Sequence, residues 1–137
     1  MKKSTVILIS LIYVASIAIV GFLGLKAKSY NDVIYVESIE ILSEYQVNHQ
    51  SGDKYIVFSP TDDADKNIQL ECKVSPDNAS DTKIIYKLES GCTTAEIDEN
   101  GLLTFLTDGS TVVSVKVYIY ANQNPTISEE IVIYYVP

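Results

Sequence analysis

The residues whose types could do chemistry are few, and each has an ordinary explanation. Asp62-Asp63-Ala64-Asp65-Lys66-Asn67 gathers oxygen donors, and Asp63-x-Asp65-x-Asn67 matches the alternate-residue start of a calcium loop. Hard divalent cations favour such carboxylate and amide oxygens. The glycine expected next is Ile68, and the closing glutamate six positions later is missing. A solvated acidic loop is therefore the better reading of Asp63, Asp65 and Asn67. The single histidine, His49, stands in a polar run from Val47 to Ser51 without a Ser or Asp partner in any recognisable arrangement. No glycine-rich phosphate loop and no zinc-ligand spacing occurs. The expectation is a chain without catalysis and without a cofactor.

Two cysteines remain, Cys72 and Cys92, twenty residues apart. Cys72 shares a strand face with Leu70 and Val74, whereas Cys92 falls in a loop. A bridge between them would pin that loop to the strand, and an oxidising location would permit it. A buried thiol plus a loop thiol is the alternative, and the residues do not decide between the two. Tyrosine is the overused aromatic, with ten Tyr against three Phe and no Trp. If Val113, Val115, Val117 and Ile119 face the core, Tyr118 and Tyr120 face outward, with Tyr134 or Tyr135 of the last strand beside them, depending on register. Exposed tyrosines offer contact area and hydroxyls at low entropic cost, as binding surfaces do. Tyr118, Tyr120 and Tyr134 are thus the candidate binding face, for a protein or glycan ligand.

The elements that must position these residues read as strands. Val33 to Leu42 is rich in β-branched residues, and Tyr55 to Phe58 is a short apolar run closed by Ser59-Pro60. Ile68, Leu70, Cys72 and Val74 alternate with Gln69, Glu71 and Lys73, the period of a strand with one buried face. Lys83 to Leu88 follows, then a hairpin from Ala95 to Leu106 whose turn ends at Gly101, where a positive φ is needed. Thr111 to Ala121 and Glu130 to Val136 complete the set. About seven or eight strands at intervals of roughly 8–12 residues predict an all-β antiparallel sandwich. With no strand–helix alternation, parallel pairing is not expected.

Ahead of the strands, Val6 to Leu25 runs 20 residues without a charge, about 30 Å as a helix and so the thickness of a bilayer's hydrocarbon. A cleaved signal usually has a shorter apolar run and a small-x-small site. Here the candidate site reads Leu25-Lys26-Ala27, with a bulky residue where a small one belongs. Residues 1–28 are therefore read as a signal-anchor transmembrane helix and residues 29–137 as one extracytoplasmic domain. The short basic start places the N-terminus in the cytoplasm. From Ser29 onward the chain carries six Lys against all 18 acids, a balance of −12. That surface repels phosphate, which excludes nucleic acid and disfavours anionic headgroups.

A family resemblance rests on particular residues. The strand Leu70-x-Cys72-x-Val74-x-Pro76 leads into Asp77-Asn78-Ala79-Ser80-Asp81, followed by Ile84 and Tyr86. Next come Ala95-x-Ile97-Asp98-x-Asn100-Gly101-Leu102, Asp108-Gly109-Ser110 and a valine-rich strand. This order resembles the bacterial Ig-like domain (group 2) repeated in intimins, invasins and many Gram-positive surface proteins, over roughly residues 68–136. The family's usual tryptophan is Tyr86 here, and the stretch Tyr45 to Lys66 is longer and more acidic than the family's link. The resemblance implies an Ig-like β-sandwich of about seven strands and an adhesion or structural role at a bacterial cell surface. An accessory subunit of a membrane or cell-envelope assembly is the alternative, as is a secreted domain if the anchor is cleaved.

Overall fold

A computed structural model describes residues 2–30, 32–61 and 65–137, the side chains of 22–30 excepted. The chain forms two units, Met1–Val33 and Ile34–Pro137. The first is helix α1 (Lys3–Tyr30), whose stretch Lys3–Gly21 is long and apolar enough to cross a membrane. None of that stretch is buried against protein, and it is apolar on all sides rather than along one stripe, as expected of a segment solvated by lipid. A retained anchor and a signal sequence both have these properties.

The second unit is built of strands: β1 (Ser38–Ile41), β2 (Gln46–Val47), β3 (Lys54–Phe58), β4 (Asn67–Gln69), β5 (Cys72–Ser75), β6 (Ile84–Leu88), β7 (Ala95–Ile97), β8 (Leu102–Phe105), β9 (Val113–Ala121) and β10 (Ser128–Tyr135). They form a five-stranded sheet ordered β2-β3-β10-β9-β6, a three-stranded sheet β4-β8-β7 and the pair β1-β5. The smaller sheets are joined through one length of chain. After β4, the Leu70 amide still donates to Gly101 O across from β8 (2.9 Å), and by β5 the chain has moved to β1, with Ile41 opposite Cys72. The single alternating strand expected over 68–74 is thus two segments that change partner. Together with the short hairpin strand β2, this raises the number of segments among the described residues to ten. The expected first strand, 33–42, is ladder-paired only over Ser38–Ile41.

Small and large sheets face each other across an apolar core. Val115, Val117 and Ile119 of β9 and Ile131 and Ile133 of β10 point inward and are buried, as are Leu103 and Phe105 from β8. Phe58 and Tyr135 of the five-stranded sheet meet Phe105 of the opposite sheet at centroid distances of 6.1 and 5.1 Å. Each such side chain contributes about 1.5–3 kcal/mol on burial. The β-sandwich reading therefore holds at the level of packed sheets.

One pairing departs from the expectation. β3 runs parallel to β10, with Val132 opposite Tyr55 and Tyr135 opposite Phe58. All other pairings among the described residues are antiparallel. A parallel neighbour needs a long crossover, which is usually a helix. Here β4 to β9, nearly the whole remainder of the domain, serve as that crossover, so strand–helix alternation is not required.

Candidate functional site

The outer face of the five-stranded sheet follows from the strict two-residue period of β9 and β10. With Val115, Val117, Ile119 and Ala121 of β9 and Ile131, Ile133 and Tyr135 of β10 buried, Tyr118 and Tyr120 of β9 and Glu130, Val132 and Tyr134 of β10 point away from the core. Tyr118 and Tyr134 are 40% and 39% exposed. The neighbouring strands add Tyr55 and Val57 from β3, opposite Val132 and Tyr134, and Ile85 and Lys87 from β6, opposite Tyr120 and Tyr118. The register settles the choice on the last strand, since Tyr135 is buried and Tyr134 is outside.

The three tyrosines share this face but do not form one row. Tyr118 stands opposite Glu130 and Tyr120 opposite Ser128, whereas Tyr134 stands opposite Ser114. Four residues along the ladder separate Tyr134 from the strand position of Tyr118, about 13 Å. Two clusters result. In one, Tyr134 packs edge-on against Tyr55 at 6.0 Å, and the Tyr55 hydroxyl donates to Gln46 Oε1 at 2.8 Å. In the other, Lys87 Nζ lies 5.8 Å from the centre of the Tyr120 ring, beside Tyr118 and Ile85. Between them Lys116 pairs with Glu130 at 3.9 Å. Such a face can stack against flat apolar groups and exchange hydrogen bonds through its hydroxyls.

Tyr55, Val57, Val132 and Ile85 are members that sequence reasoning missed. The alternation of Tyr55 and Val57 with Ile56 and Phe58 was the available signal. Both faces of that run are apolar, so periodicity alone does not say which is outside.

Both cysteine thiols are free. Cys92 Sγ has Thr94 Oγ1 at 3.7 Å and Ala95 O at 3.9 Å, at the start of β7. Cys72 instead faces the Tyr86 hydroxyl from the sheet opposite. Burial pushes the Cys72 thiol up from its ordinary pKa, outweighing the hydrogen bond from Tyr86. Burial likewise raises the Tyr86 phenol. A protonated, half-buried thiol is a packing group, not a nucleophile.

A notch of about 130 Å³ is lined by Asp53, Lys54, Lys116, Glu129 and Glu130. Its two glutamates are each paired with a lysine rather than with each other: Lys54 holds Glu129 at 2.6 Å and Lys116 faces Glu130. The volume suits a few waters and is well below the roughly 300 Å³ at which small-molecule pockets begin. Of the calcium candidates, Asp63 lies outside the described residues, Asp65 is exposed, and Asn67 pairs with Thr104 in the β4–β8 ladder. Among the described residues, no group of three His, Cys, Asp or Glu is placed to hold a metal. His49 is exposed in the β2–β3 turn. No protein-family model matches this chain, and a search of curated proteins finds no match to it.

Proposed function

We propose that this chain is a membrane-tethered, non-catalytic binding module whose domain is Ig-like and stands outside the cytoplasm. The observation that carries the binding role is the outer face of the five-stranded sheet. Half-exposed tyrosines and aliphatic side chains cluster there on a domain that is otherwise strongly acidic. Aromatic residues are enriched, and acids depleted, where proteins meet partners.

The Ig-like part of the reading is supported by strand order. In an Ig-type sandwich, the first, second, fifth and fourth strands form one sheet and the third, sixth and seventh the other. Taking β4 and β5 as one strand, β1-β5/β4-β8-β7 and β6-β9-β10 follow that order. β3 is then an added strand beside the last one. The resemblance over residues 68–136 supports the same fold, and with it a role at a bacterial cell surface, in adhesion or in holding a structure together.

The tether is supported by the apolar helix and by its unbroken run from Val6 to Leu25. The short basic N-terminus favours the cytoplasm for that end. A protein or glycan partner fits the tyrosine clusters, and the charge of −12 disfavours a polyanion. The test is capture by cross-linking on intact cells, comparing the natural chain with Tyr118→Ser/Tyr120→Ser. Loss of a discrete cross-linked species in the variant is expected. Equal capture would remove this face as the binding surface.

A further inference from the structure

From residues 33 to 35, we infer that Val33-Ile34-Tyr35 is an interfacial segment that lies in the headgroup layer of the membrane carrying the helix. The inference rests on the tether proposed above and goes beyond it, by assigning a lipid contact to the domain's own edge. The three side chains are consecutive, apolar and exposed to 52%, 37% and 62%, while Val36 after them is buried at 3%.

This exposure does not come from a loose end. The Ile34 amide donates to Ser80 Oγ and Ile34 O accepts from the Ser80 amide, both at 2.9 Å. The Val36 amide donates to Gln123 Oε1 at 3.2 Å. The backbone from Ile34 to Val36 is therefore held at one end of the domain, and the Ile34 and Tyr35 side chains remain outside it, with exposed Val33 just before them. An ordered apolar stretch kept in water costs free energy, so it calls for a covering.

Chain continuity names the covering. α1 ends at Tyr30, and five residues reach at most about 18 Å. If α1 spans the bilayer, Tyr35 is tethered within reach of the interface, whatever direction the chain takes. A tyrosine preceded by two exposed aliphatic side chains suits that layer, where an apolar ring can be buried while its hydroxyl stays wet. The acids nearest in sequence, Asp32 and Glu37, favour a zwitterionic surface over an anionic one.

The chain contains no tryptophan, so one introduced at Tyr35 reports its own surroundings. Full-length Tyr35→Trp is reconstituted in phosphatidylcholine vesicles and floated, then titrated with phosphatidylcholine spin-labelled at the headgroup. The control is Val112→Trp, exposed at the opposite end of β9 from Gln123, about 35 Å away along the strand. The expected result is blue-shifted emission and severalfold stronger quenching for Tyr35→Trp than for the control. Floated protein with equal, weak quenching at both positions overturns the inference and leaves the tether standing. A blue shift that disappears on dilution into excess lipid, without quenching, assigns the segment to a second copy and also overturns it. Protein that fails to float with the vesicles removes the tether, and the inference falls with it.

Discussion

Gly101 lies against the ring of Tyr86, joining the β7–β8 turn to the sheet opposite. A Cβ at Gly101 would come within 2.8 Å of Tyr86 Cζ and 2.9 Å of Leu70 O, and Gly101 has φ +83°. The Leu70 carbonyl is backbone and cannot swing aside, so an L-residue there meets both a strained backbone and a clash. Gly101→Ala is expected to destabilise the domain by about 2–4 kcal/mol. Denaturant unfolding with an unchanged slope and a lower midpoint measures this. A shift under about 0.5 kcal/mol, the range of ordinary surface changes, would mean that the contact is not maintained in solution.

The position of Gly101 was legible in the sequence as the end of a hairpin turn, but its neighbour was not. The alternation of Val115, Val117 and Ile119 announced a buried face, and Tyr118 and Tyr120 followed as outward residues by parity. The pairing of β3 with β10 was not legible, because the ladder joins residues such as Tyr55 and Val132 across nearly the whole domain and no local pattern records such a partner. The same distance in sequence hid the clustering of Tyr134 with Tyr55 rather than with Tyr118. The break between β4 and β5 also depends on which strand lies alongside, which periodicity within one strand does not encode.

Tyr118→Ser/Tyr120→Ser removes two outward rings without touching the core, so each change is expected to alter stability by about 0.5 kcal/mol or less. Circular dichroism and thermal unfolding check this independently of any partner. A collapse of the fold would show that these rings pack against the domain itself and are not free for binding.

Cys72 is expected to react with aromatic disulfide reagents severalfold more slowly in the folded Cys92→Ser protein than in the same protein in denaturant. Burial raises its folded pKa above the unfolded value. Its contribution to stability is therefore complete below the ordinary thiol pKa and lost as pH rises through the folded value. Equal rates in both states would contradict a packed thiol.

Asp81 accepts from Asn122 Nδ2 at 2.8 Å and from the Lys83 amide at 2.9 Å. The Asn122 contact, foremost, holds its carboxyl below the usual range. A depressed folded pKa contributes stability above the ordinary value of about 3.9, and that contribution is lost as pH falls through the folded value. The natural protein should therefore exceed Asp81→Ala in stability at neutral pH, with the gap closing in acid. A gap independent of pH would assign the effect to packing instead.

The most direct test of the central claim, a tethered domain displayed outside the cytoplasm, uses cells producing the full chain with a C-terminal tag. The tagged species is followed by apparent mass, membrane fractionation and cleavage by protease added to intact cells. The account expects a full-length, membrane-bound product that external protease cuts. A product shortened by the N-terminal segment and found in the medium would contradict the tether. A full-length product protected from external protease would contradict the orientation.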